Sequence, residues 1–381
     1  MIRSLSELRN KDIKGRVFLV RIDTNVPVED GRVGNDFRLR SVMLTLEFLL
    51  KKEARVVVVG HMEPALESTL KPVSDYYQDF FPTSFVGSCD PEDVRSHIEK
   101  LKGGSMIVLE NLRSLPFEKD NDEEYARTLA SLGDAYVNEA FSVSHRKHAS
   151  VVGLPLFLPS FAGMRFERET EELAVAFSPQ RPFLLILGGL KFKTKAPLIE
   201  KFVEKADTVF VGGALANSFF KQKGFEVGNS ATDEGVDLKG LLQKENLILP
   251  FDVVVENNEG DREIKDTEEV SFDDNIVDVG PLSIEGLSEK IKRSALVVWN
   301  GPMGNIEKGY DQQTKVLAEA IALSEAHSVI GGGDTISSIE EMKSEGEFSF
   351  VSTGGGAMLD FLVHETLPGI EALKDSPDIS F

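Results

Sequence analysis

The feature that most constrains this chain is an alternation of two patterns. Short apolar runs such as RVFLVRI (16–22), RVVVVG (55–60), SMIVLE (105–110) and DAYVNE (134–139) are separated by helix-period stretches such as SVMLTLEFLLKKE (41–53), PEDVRSHIEKLK and DEEYARTLASL. The runs lack polar–apolar alternation, as strands covered on both faces do, and strands interleaved with helices build parallel sheets. The pattern pauses at GMRFERETEELAVAFSPQRP (163–182), which reads as one charged helix. It resumes with FLLILGG (183–189), DTVFVGG (207–213), DVVVE (252–256), ALVVWNG (295–301), SVIGGG (328–333) and FSFVSTGGG (348–356). The expected fold class is α/β, with two doubly wound parallel-sheet domains joined by a hinge helix. The expected boundaries are 1–163, a linking helix 164–181, and 182–363; one large sheet is the alternative. A length of 381 residues fits about two domains. The acidic stretch 256–275 reads as a solvated loop or an edge hairpin.

Net charge narrows the partners. At -21 the chain repels nucleic acid and anionic membranes, so an anion site must be a local basic cluster. No run reaches the ~18 apolar residues that cross a bilayer, and the N-terminus has no apolar stretch of signal length. One cysteine, Cys89, cannot form an internal disulfide, which suits a reducing compartment. With no adjacent base it reads as a small buried side chain. A cytoplasmic protein is expected.

In open α/β sheets ligands bind at the carboxyl ends of the strands. In the second half those ends read GGLK, GGALAN, NGPMG, GGGDT and TGGG. Glycine lets a ligand approach the backbone, and helix N-termini offer N–H groups to phosphate. Their repetition along one sheet edge points to a nucleotide, although neither G-x-x-x-x-G-K-[ST] nor G-x-G-x-x-G is present. Lys191, Lys193 and Lys195 follow a strand and can meet phosphate charge. Asp334 can cap its helix or hold Mg²⁺ against phosphates. In the first half the strand ends carry Asp23, Asn25, Arg38, His61, Arg113, His145, Arg146 and His148. Several arginines on one face suit a small polyanion. The histidine pair can bind metal, for which no third ligand is evident, or can stack or hydrogen-bond to phosphate. Neither half offers a Ser/His/Asp set, and phosphoryl transfer requires none: it requires positioning, positive charge, a metal ion and exclusion of water.

Over nearly its whole length the chain resembles the phosphoglycerate kinase family. The segments that carry the likeness are RIDTNVPVEDGRV, ENLRSLPFEKDN, YVNEAFSVSHRKHASVVGLP, LILGGLKFKTK, VVWNGPMGNIE, VIGGGDTISSIE and VSTGGGAMLDFL. The resemblance implies reversible transfer of a phosphoryl group from 1,3-bisphosphoglycerate to Mg-ADP on hinge closure, by a monomer acting on small molecules. It implies that Asp23, Asn25, Arg38, His61, Arg113 and Arg146 bind the glycerate ligand, with Arg38 also facing the moving group. Lys191 and Lys195 would balance phosphate charge. Asp334 would hold Mg²⁺, with Gly332, Gly333 and Thr335 completing the phosphate loop. Gly213 and Pro302 would border the adenine, Glu307 would bond the ribose, and Gly354, Gly355 and Gly356 would present N–H groups to the group in flight. The tail 364–381 would return to the first domain.

Several positions depart from the family pattern. After His61 the family reads Leu-Gly-Arg-Pro, whereas this chain reads HMEPALES, with Glu63 and Pro64 and no basic residue. One substrate contact thereby loses its residue. A charged contact of ~1.5–3 kcal/mol corresponds to roughly ten- to a hundredfold in affinity. Glu63 adds repulsion if it points inward; Arg165 and Lys147 are candidate replacements for the lost cation. Thr24, Ala214 and Lys193 also depart from the usual residues. A related acyl-phosphate kinase with a changed acceptor, and a nucleotide-binding paralogue without turnover, are the alternatives to the kinase reading.

Overall fold

The computed structural model describes residues 2–64, 68–233, 235–342 and 345–378. Residues 65–67 of the HMEPALES segment and 379–381 of the tail lie outside them. The chain divides into two compact units. One contains the chain up to Glu171 together with the stretch from Thr366 onward, and the other is Glu172–Glu365.

The first unit holds a parallel sheet of β1 (Val17–Ile22), β2 (Arg55–Val59), β3 (Thr83–Val86), β4 (Ser105–Leu109), β5 (Ala135–Glu139) and β6 (Ser160–Ala162). Its order is β3-β4-β2-β1-β5-β6. Every residue of β1 is buried, as an apolar run without alternation demands. Phe18, Val20 and Ile22 join Val56, Val58 and helix residues Leu46 and Leu49 in one core. The short edge strands β3 and β6 escaped the sequence reading. TSFV and SFA are too brief and too polar to stand out from loops.

Helix α1 (Met164–Ala174) leaves this unit after β6. Its first turn is satisfied by the last residue of β5. Glu139 accepts from the N–H groups of Arg165 and Phe166, each at 2.9 Å, and from the Thr45 hydroxyl at 2.5 Å. Burial raises the Glu139 carboxyl to about 7, against those three donors. The helix is shorter than the expected 164–181: it ends at Ala174 and tightens into a 3₁₀ turn, Val175–Phe177. The division between the units falls within it, after Glu171.

The second unit contains β7 (Phe183–Leu187), β8 (Thr208–Val211), β9 (Leu247–Ile248), β10 (Asp252–Glu256), β11 (Arg262–Asp266), β12 (Asn275–Val279), β13 (Leu296–Asn300), β14 (His327–Gly331) and β15 (Phe350–Val351). The parallel sheet runs β9-β8-β7-β13-β14-β15, while β11-β10-β12 form a separate antiparallel sheet. The DVVVE run therefore does not continue the parallel pattern: it pairs with the acidic hairpin that follows it. Val253 and Val255 face a small core with Phe220 and Val227, and the β11 side remains exposed and charged.

The tail belongs to the first unit. Helix α2 (Pro368–Lys374) follows Thr366, and the Gly369 N–H donates to the Ser144 carbonyl at 2.8 Å. Arg3 donates to the Ser376 carbonyl at 2.7 Å. Ile370 and Leu373 are buried. Leu373→Ala is expected to cost about 2–5 kcal/mol. The single tryptophan, Trp299, lies in the second unit and reports only on it. In urea, the circular dichroism transition should therefore move to lower denaturant while the Trp299 fluorescence transition stays in place.

Candidate active site

Parallel topology brings the carboxyl ends of all strands of a sheet to one edge. In the first unit that edge is an acid–amide–arginine lattice. Asp23, just past β1, accepts from the Ser142 hydroxyl at 2.5 Å and the Asn25 N–H at 3.0 Å, and pairs with Arg38 at 3.2 Å. Arg38 also donates to the Asn25 carbonyl at 2.8 Å, and the Asn25 side-chain oxygen accepts from the Glu63 N–H at 3.0 Å. These contacts fix Arg38 without neutralising it fully, since its side chain keeps 32% exposure.

His61 follows β2 and is buried. Arg21 Nη2 donates to His61 Nδ1 at 2.8 Å, so the ring proton resides on Nε2. Burial first, then the charges of Arg21, Arg113 and Arg146, hold its pKa well below the ordinary value. His61 is therefore a neutral donor. Arg21 is itself wholly buried and donates to the Ser150 hydroxyl at 2.9 Å, which in turn donates to Glu118 at 2.6 Å. The sequence reading passed over both Arg21 and Glu118. A charged residue inside a strand gives no signal of the partners it will meet.

Arg113 is the centre of this edge. Its side chain is 2% exposed, and Nε and Nη2 are buried with no hydrogen-bond partner among the described residues. Buried donors are rarely left unmet, so a bound anion is the natural complement. Arg146 is exposed, and its charge reaches both His61 and His148. Burial, then Arg113, Arg21 and Arg146, push His148 down to about 4. All six expected glycerate-site residues are thus brought together. Of the two proposed replacements for the absent basic residue, Arg165 is paired with Glu169 at 2.9 Å. Lys147 is exposed. The cation that approaches is Lys119, 3.2 Å from Glu63. It lies six residues past Arg113, beyond a turn whose direction the sequence does not disclose.

In the second unit, the strand ends surround a cavity of about 320 Å³. Gly213, Pro302, Glu307 and Asp334 line it, from the segments that follow β8, β13 and β14. Gly301, with φ +97°, shows why glycine is needed: a Cβ there would lie 2.4 Å from the Gly188 carbonyl oxygen and 2.7 Å from Lys195 Nζ. Thr335 secures the neighbouring turn, its hydroxyl accepting from the Gly301 N–H at 3.1 Å. Gly332 and Gly333 precede it at the start of α3 (Gly333–Glu341). Asn217, Phe220 and Asp278 also line the cavity and were not foreseen. Asn217 Oδ1 is buried without a hydrogen-bond partner among the described residues, and burial raises the Asp278 carboxyl to about 7.

The three lysines separate by helical geometry. Lys191 stands at the N-terminal cap of Phe192–Phe202, and Lys195 lies one turn on, on the same side. Lys193 points off that face and, like Lys191, is exposed. Lys195 is 7% exposed and donates to the Gly188 carbonyl. Burial lowers its pKa to about 8, the Asp334 charge opposing and Lys191 assisting. Gly354, Gly355 and Gly356 lead into the helix Gly356–His364, which no side chain caps. They do not line the cavity; they follow β15, the outermost strand of the same sheet. Asp334 is an exposed carboxylate at the cavity with no ion pair among the described residues. A hard oxygen donor of this kind fits Mg²⁺, which keeps several waters and binds through one or two carboxylates plus phosphates.

A glycine-lined cavity with a buried lysine in one unit, and a cluster of arginines with unmet donors in the other, define an α/β phosphotransferase. The family model "Phosphoglycerate kinase" matches residues 8–365. The chain is 36% identical to the phosphoglycerate kinase of Dictyoglomus turgidum, over 98% of this chain and 99% of that one. It is 37% identical to that of Pelotomaculum thermopropionicum, over 97% and 98%. Among solved structures, phosphoglycerate kinase from Pyrococcus horikoshii superposes with a TM-score of 0.86 at 30% identity, covering 98% of each chain. The enzyme from Coxiella burnetii gives 0.82, also at 30% identity and covering 98% of each. The chain belongs to the phosphoglycerate kinase family. Among the described residues, no helix is long and apolar enough to cross a membrane.

The Lys195 ammonium is present below about pH 8 and lost above it. Mg-ADP affinity, measured by calorimetry from pH 7 to 9.5, should weaken with a midpoint near 8. In Lys195→Arg the weakening should vanish from that range, because guanidinium stays charged.

Proposed function

We propose that this chain catalyses reversible transfer of a phosphoryl group from 1,3-bisphosphoglycerate to Mg-ADP, yielding 3-phosphoglycerate and Mg-ATP. The observation that carries this reading is Arg113, a buried guanidinium with two unmet donors inside a basic cluster, in a member of this family. In the forward direction the bond between phosphorus and the acyl oxygen breaks, and a bond from an ADP β-phosphate oxygen to phosphorus forms. The leaving group departs as a carboxylate and the acceptor oxygen carries no proton. No general base is therefore needed, which accords with a neutral His61 acting only as a donor.

In this reading Asp23, Asn25, Arg38, His61, Arg113 and Arg146 hold the glycerate ligand, and Arg38 also meets the moving group. Gly213 and Pro302 border the adenine, and Glu307 bonds the ribose. Lys191 and Lys195 balance phosphate charge, with Gly332, Gly333 and Thr335 shaping the phosphate loop. Gly354, Gly355 and Gly356 donate N–H groups to the phosphoryl oxygens. Asp334 would hold Mg²⁺, whose bound charge offsets that of the nucleotide phosphates. Transfer further requires the two units to approach about the linking helix, so that donor and acceptor align and water is excluded. The partners are small molecules, and the protein acts as a cytoplasmic monomer; its free thiol, Cys89, suits a reducing compartment.

A coupled assay for ATP formation from 1,3-bisphosphoglycerate and ADP tests the activity, and turnover no higher than background would reject it. Arg38→Ala should lower kcat by roughly 10²–10³-fold, the scale for removing a donor aimed at transition-state charge. Its Mg-ADP affinity should change far less; a collapse of ADP binding would place Arg38 wrongly.

A further inference from the structure

The loop after β2 carries a carboxylate into the middle of the cation cluster. Its backbone is tied to the segments beside it. The Thr24 hydroxyl donates to the His61 carbonyl at 2.7 Å, Asn111 Nδ2 donates to the Met62 carbonyl at 2.8 Å, and the Glu63 N–H donates to Asn25 at 3.0 Å. From this fixed base, a single oxygen of Glu63, Oε1, reaches Arg113 Nη1 at 2.5 Å and Lys119 Nζ at 3.2 Å. The two cations differ in freedom. The Arg113 side chain is 2% exposed and its backbone N–H donates to Asn111 at 3.1 Å; the Lys119 side chain is 49% exposed and Glu63 itself 40%. Arg113 is therefore the enclosed member of the pair, and Glu63 the more accessible one.

We propose that Glu63 is a built-in competitor for the acidic substrate. Its carboxylate occupies one prong of Arg113 in the free protein, leaves Nε and Nη2 for the incoming anion, and moves onto Lys119 when that anion takes the whole guanidinium. Burial holds the Arg113 side chain in place, and among the described residues its guanidinium hydrogen-bonds only to Glu63. A carboxylate beside the phosphate or carboxylate of a ligand repels it, and an exposed lysine within reach lowers the cost of displacement. Glu63 thus sets how strong an anion must be to enter this edge. This inference rests on the glycerate-site reading above.

Calorimetry with 3-phosphoglycerate, and separately with inorganic phosphate, on the full-length protein and its variants provides the test. Glu63→Gln should bind 3-phosphoglycerate about tenfold more tightly, which corresponds to ~1.4 kcal/mol. Glu63→Asp, which keeps the charge but shortens its reach, should fall between the two. Lys119→Met should weaken binding severalfold in the native background and much less in Glu63→Gln. In turnover, the effect of Glu63→Gln should fall on KM for 3-phosphoglycerate and not on KM for Mg-ATP. If Glu63→Gln binds the acid equally or more weakly, Glu63 positions Arg113 and the competitor role is wrong. If Lys119→Met acts equally in both backgrounds, the exchange between the two cations is wrong. Absence of turnover in the native protein would reject the kinase activity alone; the order of phosphate affinities would still decide the role of Glu63.

Discussion

Two cations held out of water with part of their binding capacity unmet set the terms for everything else in this molecule. Arg113 and Lys195 are both nearly inaccessible, one with two orphaned guanidinium nitrogens and the other with an ammonium resting on the Gly188 carbonyl. Burying charge without full pairing is costly, and the surrounding fold must impose it. The parallel sheets do so. Strands such as β1 and β7, buried on both faces, form a stiff base whose carboxyl ends project these side chains in fixed directions. In a chain of net charge -21, such local cations attract an anion against a repelling background.

The distribution of proton-bearing groups matches chemistry that moves no proton. His61 is kept neutral by burial and by the arginines around it, with Nδ1 already accepting from Arg21. His148 is likewise driven toward the neutral form. An acyl phosphate donor and a phosphate acceptor ask for charge and alignment, and what this chain supplies is arginine, lysine, backbone N–H groups and one exposed carboxylate suited to a metal ion. Glu63 introduces a negative charge into the same cluster, and its pairing with Arg113 and Lys119 converts an apparent loss of a basic residue into a tunable contact.

The parts of this architecture visible in the sequence share one property: they are encoded locally. The long apolar strands, the glycine turns that follow them and the lysine pair one helical turn apart can be read from neighbouring residues. The motif likeness assigned the six glycerate-site positions. What escaped depends on distant pairing. DVVVE resembles a parallel strand, yet it pairs with an acidic hairpin in a separate sheet. TSFV and SFA act as edge strands only because β4 and β5 present themselves for pairing. Lys119, Arg21 and Asn217 are ordinary residues in sequence and gain meaning from neighbours 56, 40 and 14 positions away; the short step from Glu63 to Arg113 exists only in three dimensions. The linking helix reads as longer than it is because the charged pattern continues past Ala174, where the backbone tightens into a 3₁₀ turn.

The two anions should be gripped by different units, the glycerate acid by the one containing Arg113 and the nucleotide by the one containing Lys195. Mapping backbone amide shifts by NMR during separate titrations with 3-phosphoglycerate and Mg-ADP tests it most directly. With 3-phosphoglycerate, amides around Asp23, His61, Arg113 and Arg146 should shift, and with Mg-ADP those around Gly213, Pro302 and Asp334. Perturbation of the same unit by both ligands would contradict it.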